Sequence, residues 1–450
     1  MNNILILGAG RSSTSLINYI LDQAKEYNWH VMVADADPQV AAQRVGDHPN
    51  GRGVWLDARK VNDRRDLMNR ADLIISLLPA HLHVEVAKDC IRLNIPLVTG
   101  SFVSKDIYKL SDEVQIMELL YMGELGLDPG IDHMSAMKVI DEIRELGGTI
   151  TSFASYGGGL IKPEFLKKNP WNYKFIWNPR SVVKAGQGTA QYMENGKFKF
   201  VPYNRLFKEY RTVKIDGFDT PFEVYANREA LLYREAYGLG DVPSIYRGTL
   251  RYAGFCEAWD ALIQLGMTDG TYPIMDSEDI SYHELMEAYL GADKKTGLSV
   301  KDSIGEMLGE RPFSPVMKKL DWLGLFSKRK IGLAKATPAL VLENLLMNKW
   351  KPDPTDQDII IMQHVFDYDL HGKKKRRYST MILHGESMED TAIARTVGLP
   401  IGVFAKLVML GKITDRGIKV PVSKEAYLPV LSELKELGMK FEDREEDIID

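Results

Sequence analysis

The chain has 450 residues, 45% of them hydrophobic, and a formal net charge of -5 at pH 7. That balance excludes partners recognised through bulk positive charge, nucleic acid and anionic membrane among them, and the length predicts two or three domains. The two cysteines, Cys90 and Cys256, lack CxxC spacing and the nine histidines form no HExxH pattern, so neither a disulfide framework nor a metal centre is expected and a cytoplasmic setting fits the cysteine usage. No uninterrupted apolar run approaches about 20 residues, which predicts no membrane span, and the start lacks the features of a signal peptide.

Asn3–Leu7 reads as a short apolar strand, followed at once by Gly8-Ala9-Gly10-Arg11-Ser12-Ser13 and a helix with Leu16, Ile17, Ile20 and Leu21 on one face. Further strands are predicted at His30–Asp35, Gly53–Asp57, Asp72–Leu78 and Pro96–Thr99, with helical segments at Ala41–Val45, Val61–Arg70 and Val84–Arg92 between them. Strand and helix alternating at this spacing imply a parallel sheet with right-handed crossovers. The glycine loop sits between strand and helix, where Gly8 permits a tight turn, Gly10 admits a pyrophosphate and the helix N-terminus favours an anion. Ser13 stands where a third glycine is usual. Asp35, ending the second strand, can accept hydrogen bonds from the ribose hydroxyls of NAD and repels the 2′-phosphate of NADP. Asp57-Ala58, Leu78 and Thr99-Gly100-Ser101-Phe102 end the later strands, where ligands of such sheets bind. His81 and His83 follow Pro79 and read as a polar loop.

Met117–Leu127 reads as the last strand region and delivers the chain to Asp128-Pro129-Gly130-Ile131-Asp132-His133. Proline fixes its own φ and glycine permits a turn that other residues resist. Asp128 is thus presented on a stiff bend, either a plain joining turn or a functional one. A helix is predicted over Ala136–Leu146 and a strand over Thr151–Tyr156, which runs into Gly157-Gly158-Gly159. Those glycines mark either a close approach or a flexible turn. The aromatic run from Trp171 to Trp177 reads as core or interface. Phe222–Asn227 is a strand ending in Arg228, and Arg247 and Arg251 lie in the Tyr/Gly-rich segment Ile245–Tyr252. Arginines so placed in a non-basic chain suit carboxylates, which they can grip with two parallel hydrogen bonds. Helices follow at Glu257–Leu265, Tyr282–Tyr289, Val300–Leu308, Pro315–Leu325 and Thr337–Met347. Asp358–Phe366 and Tyr378–Leu383 predict a hairpin joined by the basic loop Gly372–Arg377. Ser387–Thr396 and Pro400–Leu410 predict two helices around a proline break, and the acidic Glu442–Asp450 a frayed end.

Several separated motifs then resemble one family, in order and nearly end to end: Gly126-Leu127-Asp128-Pro129-Gly130-Ile131-Asp132-His133, Asn169-Pro170 with Tyr173-Lys174-Phe175, Arg247-Gly248-Thr249-Leu250-Arg251-Tyr252, Trp322-Leu323-Gly324-Leu325-Phe326-Ser327 and Gln363-His364. The chain resembles the saccharopine dehydrogenases of the glutamate-forming type, the saccharopine reductases. The resemblance implies an α/β fold with a Rossmann-type domain over residues 1–130, rejoined by about 387–450; a substrate and dimerisation domain over 131–255 and 345–386; and a helical domain over 256–344. It implies conversion of saccharopine, NAD(P)+ and water to L-glutamate and 2-aminoadipate 6-semialdehyde, or the reverse, in lysine metabolism, by a homodimer.

The same resemblance places Ala9, Gly10, Arg11 and Ser12 at the cofactor phosphates, and Leu127, Asp128, Pro129 and Asn178 at the nicotinamide half. Ser101, Asp128, Arg228, Thr249, Leu250 and Arg251 fall at saccharopine, with Phe102 beside Ser101. Three departures matter. Phe102 stands where fungal members have Tyr, and Gly157 where they have Cys, so neither can move a proton. Asp128 is left as the first candidate for that role, with Tyr156 and bound water behind it. Asp35-Ala36-Asp37 replaces a Cys-Arg-Thr segment, which favours NAD, with NADP the other option. A carboxynorspermidine-type imine reductase and a non-catalytic dinucleotide-binding regulator are the alternatives.

Overall fold

The computed structural model describes residues 2–291 and 297–449, and the chain divides into two compact units. The first comprises residues 1–149, 369–375 and 379–450. Its strands β1 (Asn3–Leu7), β2 (His30–Asp35), β3 (Gly51–Trp55), β4 (Leu73–Ser76), β5 (Leu97–Thr99) and β6 (Leu120–Met122) join a short strand, Gly417–Lys419, in one sheet. The order β3-β2-β1-β4-β5-β6 is that of a dinucleotide-binding fold, and each neighbouring pair along it is parallel. Gly417–Lys419 extends the sheet beyond β6, again parallel.

Helices α1 (Thr14–Tyr27), α2 (Pro38–Val45), α3 (Val61–Met68) and α4 (His83–Leu93) make the crossovers. Helices α1 and α4 bury apolar stripes: Leu16, Ile17, Ile20 and Leu21 of α1 lie in the core, as do Val86, Ala87 and Cys90 of α4. A buried ion cluster ties α3 to α4. Arg64, 2% exposed, donates from Nε to Asp89 at 2.7 Å, and Arg65 donates to the other Asp89 oxygen at 2.6 Å.

Two helices predicted around Pro400 are a single one, Ala392–Met409. Tertiary packing overrides the break, because the helix lies against α1 with its small residues at the contact. A Cβ on Gly398 would sit 2.9 Å from the Leu16 backbone nitrogen, and one on Gly402 2.7 Å from the Tyr19 ring. The helix is long and apolar enough to cross a bilayer, which apolar runs in the sequence did not signal, yet 78% of that stretch is buried inside the protein.

The acidic end also departs from expectation. Phe441–Asp447 is a strand beside Lys373–His384, whose basic residues, read as a loop, belong to the strand itself. Opposite charge explains both, since Lys375 meets Glu445 at 2.5 Å and Ile448 donates to the Lys374 carbonyl at 2.9 Å.

The second unit holds residues 150–368 and 376–378. Its sheet contains β7 (Thr149–Ile161), β8 (Ala190–Glu194), β9 (Lys197–Val201), β10 (Arg211–Val213), β11 (Phe222–Ala226), β12 (Ser244–Tyr252) and β13 (Asp358–Leu370). The order along the main path is β10-β11-β12-β7-β13, with the β8–β9 hairpin attached to β12. The three glycines after Tyr156 lie inside β7 and do not end it. A Cβ on Gly158 would meet Leu250 Cβ at 2.7 Å and one on Gly159 the Ile176 Cδ1 at 2.4 Å, so neighbours fill the space side chains would take. Trp171, Tyr173 and Phe175 enter a core with Phe255, Trp259 and Trp350, while Trp177 stays half exposed.

Removing Asp89 leaves the Arg64 guanidinium buried without its carboxylate. Asp89→Ala should lower the free energy of unfolding by about 3–5 kcal/mol in denaturant titrations; a change within about 0.5 kcal/mol would show that the cluster does not hold α3 to α4.

Candidate active site

In the first unit the glycine loop turns as its position demands. Gly8 has φ +103°, its amide donates to the Ala34 carbonyl at 2.8 Å, and a Cβ there would press on the Leu77 backbone at 3.2 Å. Gly10 is exposed, with open space where its Cβ would be, which suits the close approach of a phosphate to the backbone. Ser13 stabilises the turn from within, donating from Oγ to the Gly10 carbonyl at 2.7 Å. Ala9 is fully buried and Ser12 exposed, and Arg11 and Ser12 lead into α1. Asp35 closes the loop from the end of β2: its Oδ2 accepts from the Ala9 amide at 2.7 Å and its Oδ1 from the Asp37 amide at 3.0 Å. Arg44 of α2 donates from Nε to the Ala9 carbonyl at 3.4 Å.

Past β3, Asp57 is gripped by Arg59 through two 2.9 Å contacts, and that side-chain hydrogen bond holds its carboxyl down at about 2. Ala58 is buried and its carbonyl accepts from Arg64. Leu78 is partly buried beyond β4. At the end of β5 the fully buried Thr99 accepts from the Ser101 amide through Oγ1 at 3.2 Å, and the Ser101 carbonyl accepts from the Glu124 amide at 3.0 Å. Phe102 is 47% exposed.

His83 is no polar loop residue. It opens α4, is 3% exposed, and bridges two strand ends: Nδ1 lies 3.1 Å from Ser76 Oγ and Nε2 lies 2.9 Å from Ser101 Oγ. Burial, with His81 beside it, pulls the ring down to about 4, so it is neutral at neutral pH.

The strand region expected over Met117–Leu127 contracts to Leu120–Met122, and the following helix starts early, at Ile131. The bend between them is closed by its backbone. Gly126 donates to the Pro129 carbonyl at 2.8 Å and Ile131 to the Gly126 carbonyl at 2.9 Å. Asp132 folds back to accept from the Gly130 amide at 2.5 Å and the His133 amide at 2.8 Å. Glu124 accepts from the Val103 amide at 2.9 Å and meets His133 Nε2 at 2.8 Å. The buried Asp132, His133 and Glu124 therefore brace the bend, whereas Leu127 and Asp128 are partly exposed upon it. The Asp128–Pro129 peptide is cis and Pro129 is buried.

In the second unit, register sorts the remaining candidates. Thr249 pairs with Gly157 and Tyr225, and Arg251 with Glu223, whereas Gly248 pairs with Tyr156. Side chains alternate along a strand, so Thr249 and Arg251 share one face while Leu250 and Tyr156 share the other. Tyr156 is buried edge-on to Tyr246, and burial pushes its hydroxyl up. Asn178 caps the helix Pro179–Ala185, its Oδ1 accepting from the Arg180 amide at 3.0 Å. Arg228 is exposed with φ +44°, its carbonyl accepting from the Gln191 amide at 2.7 Å.

Arg251 is 4% exposed. It donates to the Leu250 carbonyl at 2.8 Å and the Tyr225 hydroxyl at 3.2 Å, and it lies over the Tyr173, Tyr225 and Phe255 rings. Its Nε has no partner among the described residues. Glu223, its cross-strand neighbour, is not an ion-pair partner because both carboxylate oxygens are taken, by the Gly254 amide at 2.5 Å and the Cys256 amide at 2.7 Å. Lys319, itself buried, donates to the Gly254 carbonyl and closes the same turn. The result is a desolvated guanidinium with no carboxylate partner among the described residues.

His83 also sets an acid limit. An unfolded histidine titrates near 6.5 and the native ring near 4. Between those values the unfolded chain binds more protons, so stability rises with pH through that window and is lost as pH falls. His83→Gln should flatten this slope in denaturant titrations between about pH 4.5 and about pH 7; an unchanged slope would mean that His83 does not set it.

Comparison with known proteins agrees with this geometry. Residues 4–118 match the saccharopine dehydrogenase NADP binding domain and residues 126–439 the saccharopine dehydrogenase C-terminal domain. The chain is 32% identical over 442 residues to saccharopine dehydrogenase [NADP(+), L-glutamate-forming] of Saccharomyces cerevisiae, covering 96% of this chain and 97% of that one. It is also 32% identical to the mitochondrial alpha-aminoadipic semialdehyde synthase of Bos taurus, where it spans 97% of its own length and 47% of that protein's. The solved apo structure of the S. cerevisiae saccharopine dehydrogenase (L-Glu forming) superimposes with a TM-score of 0.89 at 30% identity, covering 99% of this chain and 100% of that one. The chain belongs to the saccharopine dehydrogenase family.

Proposed function

We propose that this chain is an NAD-linked saccharopine dehydrogenase, converting saccharopine, NAD+ and water to L-glutamate, 2-aminoadipate 6-semialdehyde and NADH, or running in reverse. The observation that carries the reading is Arg251: a buried cation without a carboxylate partner costs several kcal/mol, and a polycarboxylate substrate supplies what Glu223 does not. Thr249 on the same face and the exposed Arg228 are further polar receivers. The open backbone at Gly10 and the Asp35 carboxylate at the loop suit a dinucleotide.

When bound, the dinucleotide accepts hydride from the carbon beside the substrate's secondary amine. That amine must first lose its extra proton, and water then adds to the resulting imine, which collapses to aldehyde and glutamate. Asp128, partly exposed on its braced bend, is the group we assign to hold and move that proton. We assign no such role to Tyr156, which is buried on the face opposite Arg251 with its proton held on by burial.

Asp35 and Asp37 support NAD, since their charge disfavours a 2′-phosphate. Two findings favour the other cofactor: Arg44 lies at the loop, and the fungal relatives carry NADP(+) in their names.

Parallel assays of saccharopine oxidation should show turnover with NAD+ well above NADP+; turnover with neither would remove the activity, and an NADP+ preference would remove only the Asp35 argument. Arg251→Met should raise the KM for saccharopine by about 10- to 100-fold, the worth of a charge-assisted hydrogen bond, and leave that for the dinucleotide unchanged. Asp128→Ala should lower kcat by about 100-fold or more.

A further inference from the structure

The reaction requires an acceptor for the substrate's N–H as well as receivers for its carboxylates. Ser101 lies where β5 ends, in the region where sheets of this order bind the reacting half of their ligands. A free serine hydroxyl both donates and accepts, and so accommodates an amine or a carboxylate alike. Here it is not free to do both. The His83 ring is neutral, so one nitrogen carries the proton and the other accepts. Nδ1 faces Ser76 Oγ at 3.1 Å. A protonated Nδ1 satisfies that side, which leaves Nε2 as the acceptor, 2.9 Å from Ser101 Oγ.

We propose, resting on the saccharopine dehydrogenase reading above, that His83 is a positioning residue: its Nε2 accepts the hydrogen bond of the Ser101 hydroxyl, whose proton stays on Oγ, and leaves Ser101 Oγ as an acceptor for the substrate's amine N–H. The rest of the frame fits. The Ser101 amide is tied to Thr99 and its carbonyl to Glu124, so the hydroxyl is the only part of the residue free to turn, and His83 fixes it. Ser76, at the end of β4, anchors the far side of the ring. An amine is thereby accepted and a carboxylate refused at Ser101.

A double-mutant cycle on the full chain tests this. Ser101→Ala and His83→Gln should each lower kcat/KM for saccharopine by about tenfold, the scale of one hydrogen bond to a charged group, with the KM for the dinucleotide unchanged. The double variant should match the single ones, because His83 acts only through Ser101. Multiplying losses, or equal losses in both KM values, would assign His83 to packing and overturn the proposal. Ser76→Ala, a milder change, should give a smaller loss that likewise vanishes in the Ser101→Ala background, which keeps the cycle readable should His83→Gln fail to fold. A second readout needs no activity: nitrogen NMR of the wild-type ring at neutral pH should show an unprotonated Nε2 whose shift moves in Ser101→Ala. A protonated Nε2 would overturn the proposal even if saccharopine is turned over, and an unprotonated one would uphold the geometry even if it is not.

Discussion

The first unit depends on a place where no side chain fits. At Gly130, with φ +146°, a Cβ would lie 2.0 Å from the Gly126 carbonyl oxygen. Only because that space is empty can Gly126, Pro129 and Ile131 close their hydrogen bonds. Asp132 then spends its charge on the two amides of the turn, and Glu124 and His133 secure the approach from β6. Four residues with chemically potent side chains thus lie within ten positions, and three of them are committed to geometry. The fourth, Asp128, lies partly exposed on the bend they brace.

The second unit uses the same economy with opposite sign. An arginine and a glutamate face each other across β11 and β12, and the obvious outcome is an ion pair. The turn at Gly254 prevents it by taking both oxygens of the glutamate, with Lys319 fastening the other side of the same peptide. The guanidinium keeps its aromatic surroundings and a phenolic contact but no anion. Such a cation costs stability, and it persists because a well-packed aromatic core holds it in place.

Local signals made the dinucleotide fold legible. Strand, glycine turn, helix and strand-end acid are all set by neighbours in sequence, and Asp35 does end β2 beside the loop. What escaped depends on contacts between distant residues. Nothing near Pro400 says that Leu16 and Tyr19 will pack against the same helix and carry it through the proline. The glycines after Tyr156 look like a loop until Leu250 and Ile176 occupy their space. His83 could have been suspected from its place at the first turn of a helix after a serine-ended strand, but its second partner lies 18 residues on. Glu223 and Gly254 are 31 apart, and only the sheet register brings them together. Tyr156 and Arg251, both in short motif-like segments, were parted by the simplest rule of all, the alternation of a strand.

The acidic strand Phe441–Asp447 ends the order of its sheet, beside the basic strand Lys373–His384. A bare sheet edge is a template on which another chain can add. Here the outermost strand is almost wholly exposed and carries five carboxylates and one arginine in its seven residues. A second copy of the same strand would meet like charge along its length, so the edge that recruits its own acidic neighbour repels the neighbour's duplicate. The tail is in this sense a stopper: it ends the sheet, and its composition keeps the sheet ended.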